Sequence, residues 1–220
     1  MTDRIPSPHT PLPVLYAILD TDVAERAGWT LVDLASACLS GGARCLQIRA
    51  KGASGAWLLE AASRIAELAH RASGVVIVND RADLARLSGA DGVHVGQTDL
   101  PPSYARTLVG PGSILGVSTH TTAQLDAACQ DEVTYVAIGP VFSTTTKATG
   151  YDTVGLAMVR RAAEATEPRG LPLVAIGGIT LDTAADVIAA GASSVAIISD
   201  LLSTGDPEAR VGAYLKRLTV

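Results

Sequence analysis

The chain has 220 residues, 48% of them apolar, enough to bury one substantial core and suited to a single α/β domain. A formal net charge of -5 leaves no basic footprint for nucleic acid or an anionic membrane, so any anion site must be local and its ligand small. Three cysteines, odd in number and without metal-ligand spacing, read as small buried residues of a reducing, cytoplasmic compartment.

Residues 1–12 are rich in proline and lack the apolar core of a signal peptide, so they are expected to form a flexible N-terminal arm ahead of a catalytic domain over 13–220. No later segment approaches about 18 uninterrupted apolar residues, which argues against a membrane span. Short apolar runs predict strands at 14–19, 44–48, 75–79, 92–95, 114–117, 134–138, 172–176 and 194–198. Helices are expected near 31–40, 55–72, 81–88, 101–108, 121–130, 154–166, 182–190 and 207–217. Continuous Val/Ile/Leu strands alternating with helices eight times predict a single-domain (β/α)8 TIM barrel. An open doubly wound sheet is the alternative, but the first turn lacks its glycine-rich fingerprint.

Catalytic groups of such a barrel sit at the C-terminal ends of its strands, and polar residues collect there. Gln47, Arg49 and Lys51 alternate along the second strand, so all three point the same way, neighbours roughly 7 Å apart, with Cys45 below them. Leu46 and Ile48 then face the helices. A buried Arg49 demands an anion, either Asp20 or Asp80 or a ligand phosphate.

Asn79 and Asp80 close the third strand and Asp99 follows the fourth; each has capping or helix entry as its plainer explanation. Together the two carboxylates suit magnesium, which keeps waters and takes its remaining ligands from substrate phosphates. Ser118 ends the fifth strand as a hydrogen-bond donor, whereas His94 inside a strand reads as a satisfied core histidine and His120 as a minor contact.

After the sixth strand, Thr144, Thr145, Thr146 and Lys147 make an anion-binding loop. Gly177 and Gly178 follow strand seven and Ile198 and Ser199 end strand eight, the recurrent phosphate cup of these barrels. A side chain at Gly178, as in Gly178→Val, is therefore expected to raise KM for a ligand phosphate bound there, a comparison that is fair only if the melt stays close to wild type.

QIRAK at 47–51, VNDRAD at 78–83, DGVHVGQTDLP at 91–101, GVSTH at 116–120, GPVFSTTTK at 139–147, AIGGI at 175–179 and the Ile198-Ser199 pair occur in one order. With them the chain resembles the thiamine phosphate synthase family from about Tyr16 to the C-terminus. The resemblance implies that Gln47, Ile48, Arg49, Ala50 and Lys51, with Asn79, Ser118 and Lys147, bind an aminopyrimidine diphosphate. It places Mg2+ on Asp80 and Asp99, and a thiazole phosphate on Thr144, Thr145, Thr146, Gly178, Ile198 and Ser199. Arg49, Lys51, Lys147 and Ser118 are then the catalytic set.

The implied reaction gives thiamine phosphate and pyrophosphate from two small-molecule substrates, with no nucleic acid or membrane partner and a homo-oligomer left open. The chain departs from many members of the family at Ala50 and Gln124, where acids are common; strand parity turns Ala50 away from the mouth. A thiazole tautomerase, a phosphosugar isomerase or epimerase on the same barrel, and a noncatalytic phosphate-binding barrel are the competing readings. Asp99 and the 144–147 segment argue against the first, and the Gln47/Arg49/Lys51 trio has no purpose in the second.

Overall fold

The computed structural model describes residues 12–144 and 150–219. Eight strands form a closed parallel barrel in sequential order: β1 (Leu15–Asp20), β2 (Cys45–Arg49), β3 (Val75–Asn79), β4 (Gly92–Val95), β5 (Ile114–Thr119), β6 (Tyr135–Ile138), β7 (Leu173–Ile176) and β8 (Ser194–Ile197). β1 closes the ring against β8, with Ala17 opposite Ile197. The fold is the predicted (β/α)8 barrel.

Among the described residues, nine α-helices stand between and after the strands: α1 (Thr21–Arg26), α2 (Leu31–Ser40), α3 (Gly55–Arg71), α4 (Ala82–Leu87), α5 (Pro102–Val109), α6 (Thr122–Ala128), α7 (Gly155–Thr166), α8 (Ala184–Ala189) and α9 (Pro207–Leu218). The six-residue α1 is absent from the sequence reading because TDVAER carries no apolar period. It forms because Asp20 caps it, accepting from the Val23 amide at 3.0 Å. Side-chain caps from Thr30, Ser54, Thr121 and Asp206 start α2, α3, α6 and α9 in the same way.

Strand parity sorts the core into two layers. Leu46, Ile48, Val76, Val78, Val93 and Val95 pack outward against helix residues such as Leu34, Leu58 and Leu84. Tyr16, Ile18, Cys45, Ile77, Tyr135 and Val174 fill the barrel interior, and Leu12 packs against them. Burying both faces of every strand is what a parallel barrel requires and what the unbroken apolar runs encode. Cys38, Cys45 and Cys129 are buried free thiols, and burial pushes that of Cys38 up to about 12, which makes it a packing residue rather than a nucleophile.

Candidate active site

A cavity of about 440 Å³ opens above the inner layer. Gln47, Arg49, Asn79, Ser118, Thr144, Gly178, Ile198 and Ser199 line it, so one enclosure brings together predicted residues from β2, β3 and β5 and from the loops after β6, β7 and β8. Thr145, Thr146 and Lys147 lie outside the described residues. Ile48 and Ala50 do not reach the cavity with their side chains. Both are buried in the outer, helix-facing cluster because strand parity turns them there.

On the diphosphate side, Arg49 is mostly buried and ion-paired through Nη1 to Asp20, which is almost wholly buried. The carboxylate alternative for Arg49 is thus realised, with Asp20 rather than Asp80 as partner. A guanidinium has five N–H donors, and the Asp20 contact engages one nitrogen, so the pair presents a held cation to the cavity. Lys51 stands outside the cavity wall, half-exposed, with Nζ 3.4 Å from Asp80 Oδ2.

Asp80 does not cap α4. The capping position is Arg81, without a side-chain bond to the helix. Instead Asp80 sits in the left-handed region at φ 64, with its carboxyl near enough to that of Asp99 for the two to influence each other. Burial, then the neighbouring Asp99 carboxyl, push the Asp80 carboxyl above the usual range, with Lys51 opposing. Asp99 likewise caps nothing on α5; its Oδ2 accepts from the Gly96 amide at 2.8 Å. Two facing carboxylates from the ends of consecutive strands form a pair whose mutual repulsion a bound dication would relieve, and the donor set fits magnesium.

The opposite wall is tied together by backbone. The Val141 amide donates to the Ile176 carbonyl and that of Phe142 to the Gly177 carbonyl, both at 2.9 Å, which zips the loop after β6 onto the loop after β7. Asp200, in the 3-10 turn Ser199–Leu202, accepts from the Leu181 amide at 3.2 Å, from Arg210 on α9 at 2.7 Å and from Tyr214. The segment that carries Ser199 is thereby fixed to both neighbours.

At Gly178 the condition of an unchanged melt is not met. Its φ is 63, and an added Cβ would lie 2.4 Å from the Ser143 carbonyl oxygen. A side chain therefore strains the turn and displaces the loop as well as crowding the cup. Gly178→Ala should cost about 1–2 kcal/mol from backbone handedness alone and raise KM for thiazole phosphate. A thermal melt alongside the kinetics checks both; an unchanged melt would contradict the close approach.

Tyr16 and Tyr135 escaped the sequence reading, which gave His94 as a satisfied core histidine and His120 as a minor contact. Tyr16, His94 and His120 also line the cavity, and Tyr135 lies just beneath it. Tyr16 and Tyr135 read as ordinary strand aromatics, and only the barrel's closure brings their hydroxyls together.

A family model described as thiamine monophosphate synthase matches residues 15–201. The chain is 44% identical over 209 residues to a thiamine-phosphate synthase of Koribacter versatilis, covering 94% of this chain and 96% of that protein. It is 39% identical over 214 residues to a thiamine-phosphate synthase of Roseiflexus castenholzii, covering 97% and 91%. The solved thiamine phosphate pyrophosphorylase of Pyrococcus furiosus superposes with a TM-score of 0.85 at 27% identity, covering 96% of this chain and 97% of that one. The eight-stranded barrel, the strand-end polar set and these matches agree: the chain belongs to the thiamine monophosphate synthase family.

Proposed function

We infer that the chain joins 4-amino-2-methyl-5-pyrimidinylmethyl diphosphate to thiazole phosphate, giving thiamine phosphate and pyrophosphate. The observation that carries this reading is one cavity walled by a held cation on one side and a glycine-lined phosphate cup on the other, in a chain of this family. The aminopyrimidine ring can stabilise a methylene cation, so the main task is to stabilise charge building on the departing diphosphate. Arg49, Lys51 and Lys147 are suited to that charge, while the thiazole phosphate is anchored among Thr144, Thr145, Thr146, Gly178, Ile198 and Ser199. Anchoring holds the thiazole nitrogen near the cationic carbon, so positioning replaces a covalent nucleophile.

Asp80 and Asp99 would hold Mg2+, which when bound supplies neutralising charge for the diphosphate oxygens. Three buried free thiols suit a reducing cytoplasm, and no helix among the described residues is long and apolar enough to cross a membrane. Turnover should stop on chelation and return with added magnesium, as read by pyrophosphate release. Full activity in excess chelator would remove the metal from this reading.

A further inference from the structure

At the floor of the cavity runs a continuous hydrogen-bonded chain through five strands, β1, β2, β4, β5 and β6. Gln47 Nε2 donates to the Tyr16 hydroxyl at 2.7 Å, and that hydroxyl is 3.0 Å from the Tyr135 hydroxyl. Tyr135 is 2.8 Å from His94 Nδ1, and His94 Nε2 is 2.8 Å from Ser118 Oγ. Each hydroxyl owns one proton, so the Gln47 end sets the direction of every link. Having accepted from Gln47, Tyr16 gives its proton to Tyr135, which gives its own to His94 Nδ1. The imidazole proton is then on Nε2, where it is donated to Ser118.

The rings cannot drift out of this arrangement. Tyr135 stacks on His94 with centroids 5.6 Å apart and meets Tyr16 edge-on at 5.9 Å. Gly116 makes room for it: a Cβ there would lie 2.0 Å from the Tyr135 ring. Burial also holds both phenols well above their ordinary range, so each keeps the proton that the chain passes on.

The two ends of the chain face the cavity with opposite character. Gln47 commits one of its two amide N–H groups to Tyr16, and its Oε1 is the acceptor it offers. Ser118 has accepted from His94, which leaves its own proton to donate. A 4-aminopyrimidine presents the complementary pair, an exocyclic amine that donates beside a ring nitrogen that accepts. The reversed chain, with Nδ1–H on His94, would offer a donor at Gln47 and an acceptor at Ser118, the wrong pattern for that edge.

We propose that Tyr16, Tyr135 and His94 are positioning residues that hold Gln47 as acceptor and Ser118 as donor for the aminopyrimidine, with His94 kept as the Nε2–H tautomer. The role rests on the synthase reading for its ligand.

The test combines two measurements on the full chain that do not depend on turnover. The first is 15N NMR of the histidine-labelled protein, in which His94 should give a protonated-type signal at Nε2 and an unprotonated-type signal at Nδ1. The second is calorimetric binding, with magnesium, of the pyrimidine diphosphate and of its analogue lacking the 4-amino group. Tyr135→Phe should weaken binding of the amino compound about 10-fold, the scale of one hydrogen bond, with little effect on the analogue or on thiazole phosphate.

His94→Gln, which can still donate to Ser118, should stay within about 3-fold of wild type, and His94→Leu should lose about 10-fold. A wild-type Nδ1–H tautomer, or equal losses for the amino compound and its analogue in Tyr135→Phe, would overturn the proposal. Failure of the synthase reading shows separately, as binding without pyrophosphate release.

Discussion

Asp80→Asn is expected to cut kcat/KM by at least about 100-fold at limiting magnesium while leaving the thermal melt close to wild type. Asparagine keeps the shape of the side chain and tolerates the left-handed backbone at this position, where φ is 64. It removes one of two facing carboxylates, so the folded protein loses a repulsion and gives up only a half-exposed contact to Lys51. Asp80→Ala should lose the same activity and, in addition, about 1 kcal/mol of stability from alanine in that conformation. Magnesium titrations of turnover and parallel melts read the two effects. An unchanged magnesium dependence in Asp80→Asn would take this carboxylate out of the metal site.

Arg49→Met should affect stability and catalysis together, and a second substitution separates them. Removing the guanidinium strands Asp20, which is almost wholly buried, and breaking such a pair costs about 3–5 kcal/mol. For a chain of this size the melt should fall by roughly 10 °C. Loss of a cation aimed at charge developing on the diphosphate should lower kcat by about 100-fold or more. Adding Asp20→Asn retains an oxygen to cap α1 and removes the stranded charge, so the double variant should regain most of the melt and none of the kcat. Recovery of kcat with the melt would reduce Arg49 to a structural ion pair.

Much of this architecture is legible in the chain because a parallel barrel buries both faces of its strands. The β3 and β4 runs, Val75–Asn79 and Gly92–Val95, coincide with their predicted bounds. β5 runs two residues further than its apolar stretch, since Thr119 pairs with Ile138 and completes the ladder despite its hydroxyl. β1 likewise takes in Asp20, paired with Arg49, where the sequence shows only the end of an apolar run.

At the site, period-two spacing put Gln47 and Arg49 on the cavity wall and Ile48 and Ala50 behind it. Capping chemistry, by contrast, did not discriminate. Asp80 and Asp99 looked as fit for helix entrances as for a metal, and only the observed capping residues set the helix-entrance reading aside. The Tyr16–Tyr135 contact spans 119 residues of sequence, so no local pattern could reveal it.

Incubation of the purified protein with pyrimidine diphosphate, thiazole phosphate and magnesium, with both products quantified, is the most direct test of synthase activity. Thiamine phosphate and pyrophosphate should appear in equal amounts, and neither should form at a comparable rate when one substrate is omitted. Pyrophosphate release that is independent of thiazole phosphate, or isomerisation of thiazole phosphate without any joined product, would contradict the assignment.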